Sequence, residues 1–330
     1  MIQPLVSVIV INHNGKKYIK RCIEAIVKNS YKNIELIIID NASNDGSVGI
    51  IKKLHRIYPI LPMRCIFLKK NYGPNVGRNI GIEKSRGEFC LFVDHDAIIN
   101  KDCIASIVSF LAERPEIGAV QVKLILMDNP KKIDTCGTYL TPFGFICEPS
   151  HGEPISTYNN YMSILGGRGV FMIRRSILRK IGIFNQSFFL GWDETELFWR
   201  IWLAGYKVIF LPQATAYHAR SSKAKINYEG FKNGCKTFIK LLELKNLIPI
   251  LFVYTLGWFC LIVMVFGRDK SALLKILSEL KSLMKDLPNI LMERKVIQRM
   301  RQTKDKFIFH NTLVCLPLRD FFKRIKYLVS

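Results

Sequence analysis

The sequence predicts an α/β protein, a Rossmann-like, mostly parallel sheet flanked by helices, followed by a C-terminal membrane-associated helical segment. Short β-branched apolar runs at residues 6–11, 34–39, 64–68, 89–93 and 119–126 alternate with segments 16–28, 47–58, 75–84 and 103–113, where apolar residues recur at helical spacing. A run apolar at every position belongs to a strand buried on both faces, and strand–helix alternation at this period builds βαβ units. Residues 246–267 contain no charged side chain. About twenty apolar residues is the length that crosses a hydrocarbon core of roughly 30 Å.

The 330 residues suffice for one large domain and an appendage. We place the first unit at residues 1–226, divided near 100, and a membrane-associated helical region at 227–330. Hydrophobic residues make up 49 % and charged residues 23 %, which excludes a disordered chain. The nine cysteines are scattered without a C-x-x-C pair, which argues against a zinc site or a disulfide framework and for buried thiols in a reducing compartment.

A net charge of +23 calls for an anionic partner. Nucleic acid is excluded, because no recognised module interleaves aromatic residues with the Lys and Arg. A membrane surface fits better. Lys245 and Arg268 bracket the apolar stretch, and both flanks have amphipathic patterns. Upstream, Phe231, Phe238, Leu241, Leu242 and Leu244 interleave with Lys232, Lys236, Lys240 and Lys245; downstream, Leu273, Ile276, Leu277, Leu280 and Met284 oppose Lys275, Lys281 and Lys285. Helices of this kind lie in the interface of an anionic leaflet. Pro249 and Gly257 permit a re-entrant path as well as a spanning one. Positive charge on both sides of the stretch leaves the positive-inside rule without a preference, and a cytoplasmic catalytic domain is expected. Residues 5–11 are too short an apolar run for a signal peptide and have no basic residue before them.

In a parallel α/β sheet, ligands bind beyond the carboxyl ends of the strands. Four polar clusters stand there: Asn12-His13-Asn14-Gly15, residues 40–46, residues 71–79, and Asp94-His95-Asp96. Asn14 and Asp45 also suit plain turn and cap positions. Asp94 and Asp96, one residue apart at the end of a buried strand, repel unless a cation sits between them, and oxygen ligands favour Mg2+ or Mn2+.

These clusters in this order resemble the family 2 glycosyltransferases, inverting enzymes of the GT-A fold, and within them the rhamnosyltransferase-like members. The likeness spans about residues 5–222. It begins with Val6-Ser7-Val8-Ile9-Val10-Ile11-Asn12-His13-Asn14 and continues through Ile38-Ile39-Asp40-Asn41-Ala42-Ser43-Asn44-Asp45-Gly46-Ser47 and the stretch from Asn71 to Gly81. Downstream it includes Leu165-Gly166-Gly167-Arg168-Gly169, then Asp193-Glu194-Thr195-Glu196 after Phe188-Phe189, and Ala216-Tyr217-His218. The resemblance implies that Asn12, Asp40, Asn71, Gly73, Arg78, Asn79, Asp94 and Gly167 contact a nucleotide-diphosphate sugar, with Asp40 reading the base and Arg78 near the diphosphate. It implies that Asp94, Asp96 and His218 hold the divalent metal, and that Glu194 or Asp193 is the catalytic base. The order Asp-Glu reverses the family's usual Glu-Asp and leaves both open.

The expected activity is metal-dependent hexosyl or deoxyhexosyl transfer to a glycan or polyprenol-linked acceptor at a membrane. A haloacid-dehalogenase-type phosphotransferase fits less well, because Ile98 stands where such sites place Thr or Val. A nicotinamide dehydrogenase lacks its G-x-G-x-x-G after the first strand. The reversed acidic pair keeps one alternative open, a membrane-anchored glycan-binding or scaffold protein with a degenerate transferase fold.

Overall fold

The computed structural model describes residues 3–189, 191–220, 227–265 and 269–314. Residues 221–222 at the end of the likeness, the boundary at 226, the end of the apolar run at 266–267, Arg268 and Cys315 lie outside the described residues. The strands β1 (Val6–Asn12), β2 (Ile34–Asp40), β3 (Met63–Phe67) and β4 (Phe89–Asp94) form a parallel block in the order β3-β2-β1-β4. Helices α1 (Ile19–Val27), α2 (Ser47–Ile57) and α3 (Pro74–Lys84) connect them; α4 (Cys103–Ala112) follows the short β5 (Ala97–Ile99). Each falls in the segment its periodicity predicts. Alternate residues of β1 enter opposite cores: Val6, Val8 and Val10 on one face, Ile9 and Ile11 on the other. All are buried, as an uninterrupted apolar run requires.

Beyond β4 the sheet is mixed. β6 (Ile117–Leu126) and β12 (Lys207–His218) are parallel to each other, but β11 (Val170–Arg174) runs antiparallel between β4 and β6. The chain leaves β6 at the edge where β4 ends. It makes β7 (Ile133–Thr135), a small β8 (Tyr139–Leu140)–β9 (Ile146–Cys147) hairpin and the edge strand β10 (Met162–Ser163), and re-enters the sheet from that same edge as β11. Glycines 166, 167 and 169 therefore lie beside the end of β4, where the Asp94 N–H donates to the Gly169 carbonyl at 2.9 Å. β12 continues through an irregularity between Leu211 and Thr215 and ends on His218.

The helices α5 (Arg175–Ile181), α6 (Asp193–Leu203), α7 (Glu229–Leu241), α8 (Leu244–Val265), α9 (Ala272–Met300) and α10 (Asp305–Thr312) complete the chain. One flank of the apolar stretch behaves differently from expectation. α7 does not lie on a leaflet; Phe231, Phe238 and Leu241 are in the core. Its lysines are consumed by ion pairs: Lys232 with Glu279, Lys236 with Asp286, and Lys240 with Glu196 and Glu293. The amphipathic pattern there records a helix packed between α6 and α9, with each cation meeting a carboxylate that the local sequence does not contain. The eight described cysteines are free thiols, with Cys260 exposed.

Candidate active site

Asn12 and Asp40 end adjacent parallel strands in register. The Asn12 amide donates to Asp40 Oδ2 at 2.6 Å and to the hydroxyls of Ser43 (3.1 Å) and Ser47 (2.9 Å), while Asp40 Oδ1 accepts the Ser43 N–H at 2.9 Å. Asn14, at φ +52°, and Asp45 are turn residues. Asp45 accepts the Lys16 N–H at 2.7 Å and the Ser47 N–H at 3.0 Å. Burial works against its charge, but the Ser47 hydroxyl, donating at 2.6 Å, and then the two N–H bonds bring its pKa down to about 2.

Asn71 holds the entry to α3. Its Oδ1 accepts from the Asn41 amide (2.8 Å) and from the Gly73 N–H (2.9 Å). Gly73 sits at φ +86°, and a Cβ there would come within 2.9 Å of the Phe189 ring, so glycine is required twice over. Asn75 and Asn79 fasten α3 to the chain before α6. The Asn75 amide donates to the Phe188 carbonyl at 2.6 Å, and Asn79 exchanges bonds of 2.9 and 3.0 Å with the Phe184 backbone. Asn79, expected to touch the donor, thus has its amide engaged in holding the chain before α6.

Arg78 is 3 % exposed and lies among three carboxylates rather than being presented to a diphosphate. Its Nη1 donates to Asp193 Oδ2 at 2.8 Å; its Nη2 donates to Glu194 Oε1 at 2.7 Å and to Asp94 Oδ1 at 3.4 Å. The guanidinium lies over the Phe184 ring at 5.2 Å. A planar fork with several donors joins three acidic groups from β4 and α6 in a way an ammonium does not. Asp193 and Glu194 open α6, where the helix N-terminus favours negative charge. They follow Trp192, which adopts φ +70°, a left-handed conformation that turns the chain into the helix.

The pair divides its protonation. Burial and then the neighbouring Glu194 push the Asp193 carboxyl well above the usual carboxylate range. Burial opposes the charge on Glu194 too, but Arg78, the hydrogen bond with Asp193 and Arg168 outweigh it and hold its pKa low. Glu194 is the ionised and more accessible member, with its side chain 18 % exposed against 5 % for Asp193.

Asp94, Asp96 and His218 each offer one ligand atom, all within 4.8 Å of one another. Two carboxylate oxygens and an imidazole nitrogen suit a divalent cation such as Mn2+. Burial lowers and carboxylates raise the basicity of His218. Hydrogen bonds to Asp134 and Asp96 prevail and push its pKa up to about 10. A cation seated at this cluster takes the place of that proton. Asp94 is pushed up, by burial first and then, against the pull of Arg78, by Asp96 and Glu194.

Sequence reasoning missed the layer behind His218. Asp134, fully buried on β7, accepts from His218 Nδ1 at 2.7 Å and turns Nε2 toward Asp96, 3.4 Å away. Arg220 bridges Asp134 and Glu148, each at 2.8 Å, and Arg168 meets Glu148 at 3.0 Å. Asp134 and Glu148 stand in none of the quoted motifs, and Arg168 and Arg220, though within the stretch of the likeness, carry no role in it. Gly167 answers a packing need, since a side chain there would run into Gln121 and Phe198.

Glycosyl transferase family 2 is the family model that matches the chain, over residues 7–182. An uncharacterized glycosyltransferase of Haemophilus influenzae is 33% identical over 152 residues, which is 43% of this chain and 58% of that protein. A putative teichuronic acid biosynthesis glycosyltransferase of Bacillus subtilis is 31% identical over 112 residues, 34% of this chain and 44% of its own length. The match thus spans about half the length of these relatives. Among solved structures, a mannosyltransferase from Pyrobaculum calidifontis in complex with GDP-Man and Mn2+ shares the fold, with a TM-score of 0.57 at 17% identity over 100% of this chain and 86% of that one.

Proposed function

Since the chain belongs to glycosyl transferase family 2 and has a GT-A fold, we propose that it moves a hexose or deoxyhexose from a nucleotide-diphosphate donor to a hydroxyl, with inversion. The acceptor is a glycan or a polyprenol-linked glycan of a cell-surface polysaccharide, met at the cytoplasmic face of a membrane. Residues 1–226 carry the chemistry and 227–330 the membrane contact. One observation supports this above the others: the Asp94–Asp96–His218 cluster and the Asp193–Glu194 pair lie side by side, joined by Arg78 Nη2, which donates to both Asp94 and Glu194.

Asp40 and Asn12 receive the nucleoside. Asp94, Asp96 and His218 hold Mg2+ or Mn2+, which when bound supplies positive charge opposite the leaving diphosphate. Glu194 takes the proton of the attacking acceptor hydroxyl onto its carboxylate. Arg78 holds Glu194 in place and keeps it ionised, and Asp193 retains its own proton. The hydroxyl attacks the anomeric carbon from the face opposite the diphosphate, which leaves with the C–O bonding pair.

Chelation is expected to abolish turnover of the nucleotide sugar and added Mn2+ to restore it. Asp96→Ala weakens metal-dependent nucleotide binding in titration calorimetry; equal affinity for this variant and the native chain would remove the metal from the proposal. Asp134→Ala, one shell out, lowers Mn2+ affinity roughly 10–100-fold, read by the spectrum of free Mn2+. Native-like affinity would mean that Asp134 only fastens β7. Complete absence of turnover on a panel of nucleotide sugars would favour the glycan-binding scaffold instead.

A further inference from the structure

We propose that α8 lies flat in an anionic membrane leaflet, inserting its outward face, and does not cross the bilayer. By length and composition Leu244–Met264 could span. Its inward face forbids this. Tyr254, Trp258, Leu261 and Ile262 are buried in the protein core. Tyr254 and Trp258 lie against Phe145 and Phe231, and the Tyr254 hydroxyl donates to the Gly230 carbonyl at 2.7 Å. Gly257 lies so close to the Phe145 ring that a Cβ would approach it to 2.6 Å. These contacts extend from the middle of the helix nearly to its end. A crossing helix would have to strip this face from the fold and open the core beneath it.

Among the described residues the outward face has no such partner. Leu244, Ile248, Phe252, Leu256, Phe259 and Val263 are between 50% and 76% exposed. Spaced by three and four residues, they form one stripe. No charged residue follows Lys245 on the helix. An apolar stripe of this length calls for an apolar environment. Charge identifies which. Lys245 at its start and Lys281 and Lys285 on α9 are exposed, and the chain carries +23. Anionic headgroups complement that charge, whereas a second copy of the same chain repels it.

The placement also bears on the cleft. Tyr254 packs on the Trp192 ring at 6.1 Å, and Trp192 immediately precedes Asp193 and Glu194. The leaflet-facing helix therefore touches the residue that leads into α6, which brings the start of α6 close to the lipid-facing element. This rests on the membrane contact proposed above and is independent of the metal and base assignments.

The test uses the full chain and vesicles of phosphatidylcholine with or without phosphatidylglycerol. Flotation should recover the protein with the anionic vesicles, and a Phe252→Glu, Phe259→Glu double variant should bind at least about tenfold more weakly while keeping its melting temperature and nucleotide-sugar hydrolysis. Bimane attached in turn at Ile248→Cys, Leu256→Cys and Val263→Cys, in a Cys260→Ser background, should report one shallow depth by lipid-borne quenchers. A depth that rises to the bilayer centre and falls again would mean a spanning helix and overturn the proposal. Failure to bind either vesicle would overturn it too, as would dimerisation without lipid that the double variant abolishes. Vesicle binding with no sugar-nucleotide turnover would instead sink the transferase assignment.

Discussion

Glu194→Gln is expected to lower turnover by about 10²–10⁴-fold, the contribution of a positioned general base, with donor binding largely intact. The amide keeps the length of the side chain and an oxygen for Arg78 Nη2, now 2.7 Å from Glu194 Oε1, so the cleft keeps its shape and loses only its proton acceptor. Asp193→Asn should cost less, because burial and its neighbour already keep that carboxyl protonated. Steady-state kinetics on both variants decide the assignment. Full activity in Glu194→Gln with a dead Asp193→Asn would move the base one residue back. Because the folded-state pKa of Glu194 is held low, the base stays ionised into mildly acidic solution. The acid limb of kcat/KM against pH should therefore fall below the ordinary glutamate range, and activity should be lost only as pH drops through that lowered value.

Two residues further along the same helix, the opposite kind of effect is expected. Glu196 is 1 % exposed and accepts from Lys240 Nζ at 2.7 Å and from Arg200 at 2.9 and 3.1 Å. Burial opposes its charge, but Arg200 and Lys240 prevail and bring its pKa down to about 2. The folded pKa is depressed, so this stabilisation is present above the unfolded value near 4.5 and is lost as pH falls toward about 2. Glu196→Gln leaves two cations facing an amide in the core. Breaking a buried pair in this way costs about 3–5 kcal/mol. Thermal or urea unfolding should show that loss at neutral pH and much less of it near pH 2. A melting temperature equal to that of the native chain would refute the assignment. Residual folded enzyme should keep near-native kcat, which separates Glu196 from Glu194.

The strand and helix pattern of the first half was legible because each element of a doubly covered sheet carries its own signature, an unbroken apolar run or a helical period. Asp94 and Asp96 stood out for a related reason, since they follow such an element, whereas Glu194 and Asp193 were reached only through the resemblance to the family. The antiparallel course of β11 was not, because direction depends on where the preceding loop re-enters the sheet and not on residues 170–174 themselves. Nor was the role of Arg78: its partners Asp94, Asp193 and Glu194 come from two other elements. The lysines of α7 misled for the same reason. Leucine and lysine at helical spacing describe a helix on lipid and a helix in a salt-bridged core equally well. Only the distant Glu279, Asp286, Glu196 and Glu293 tell them apart.

The reversed β11 has an outcome for how such a chain can diversify. All of residues 127–169 depart from and return to the same rim, and the two strands that flank the excursion are locked in the middle of the sheet. The Asp94–Gly169 backbone bond closes the excursion at that rim, and the excursion's buried residues, among them Ile133, Leu140 and Ile164, anchor it to the core. The segment can thus change in length at its turns while the two strands that carry it stay fixed in the sheet.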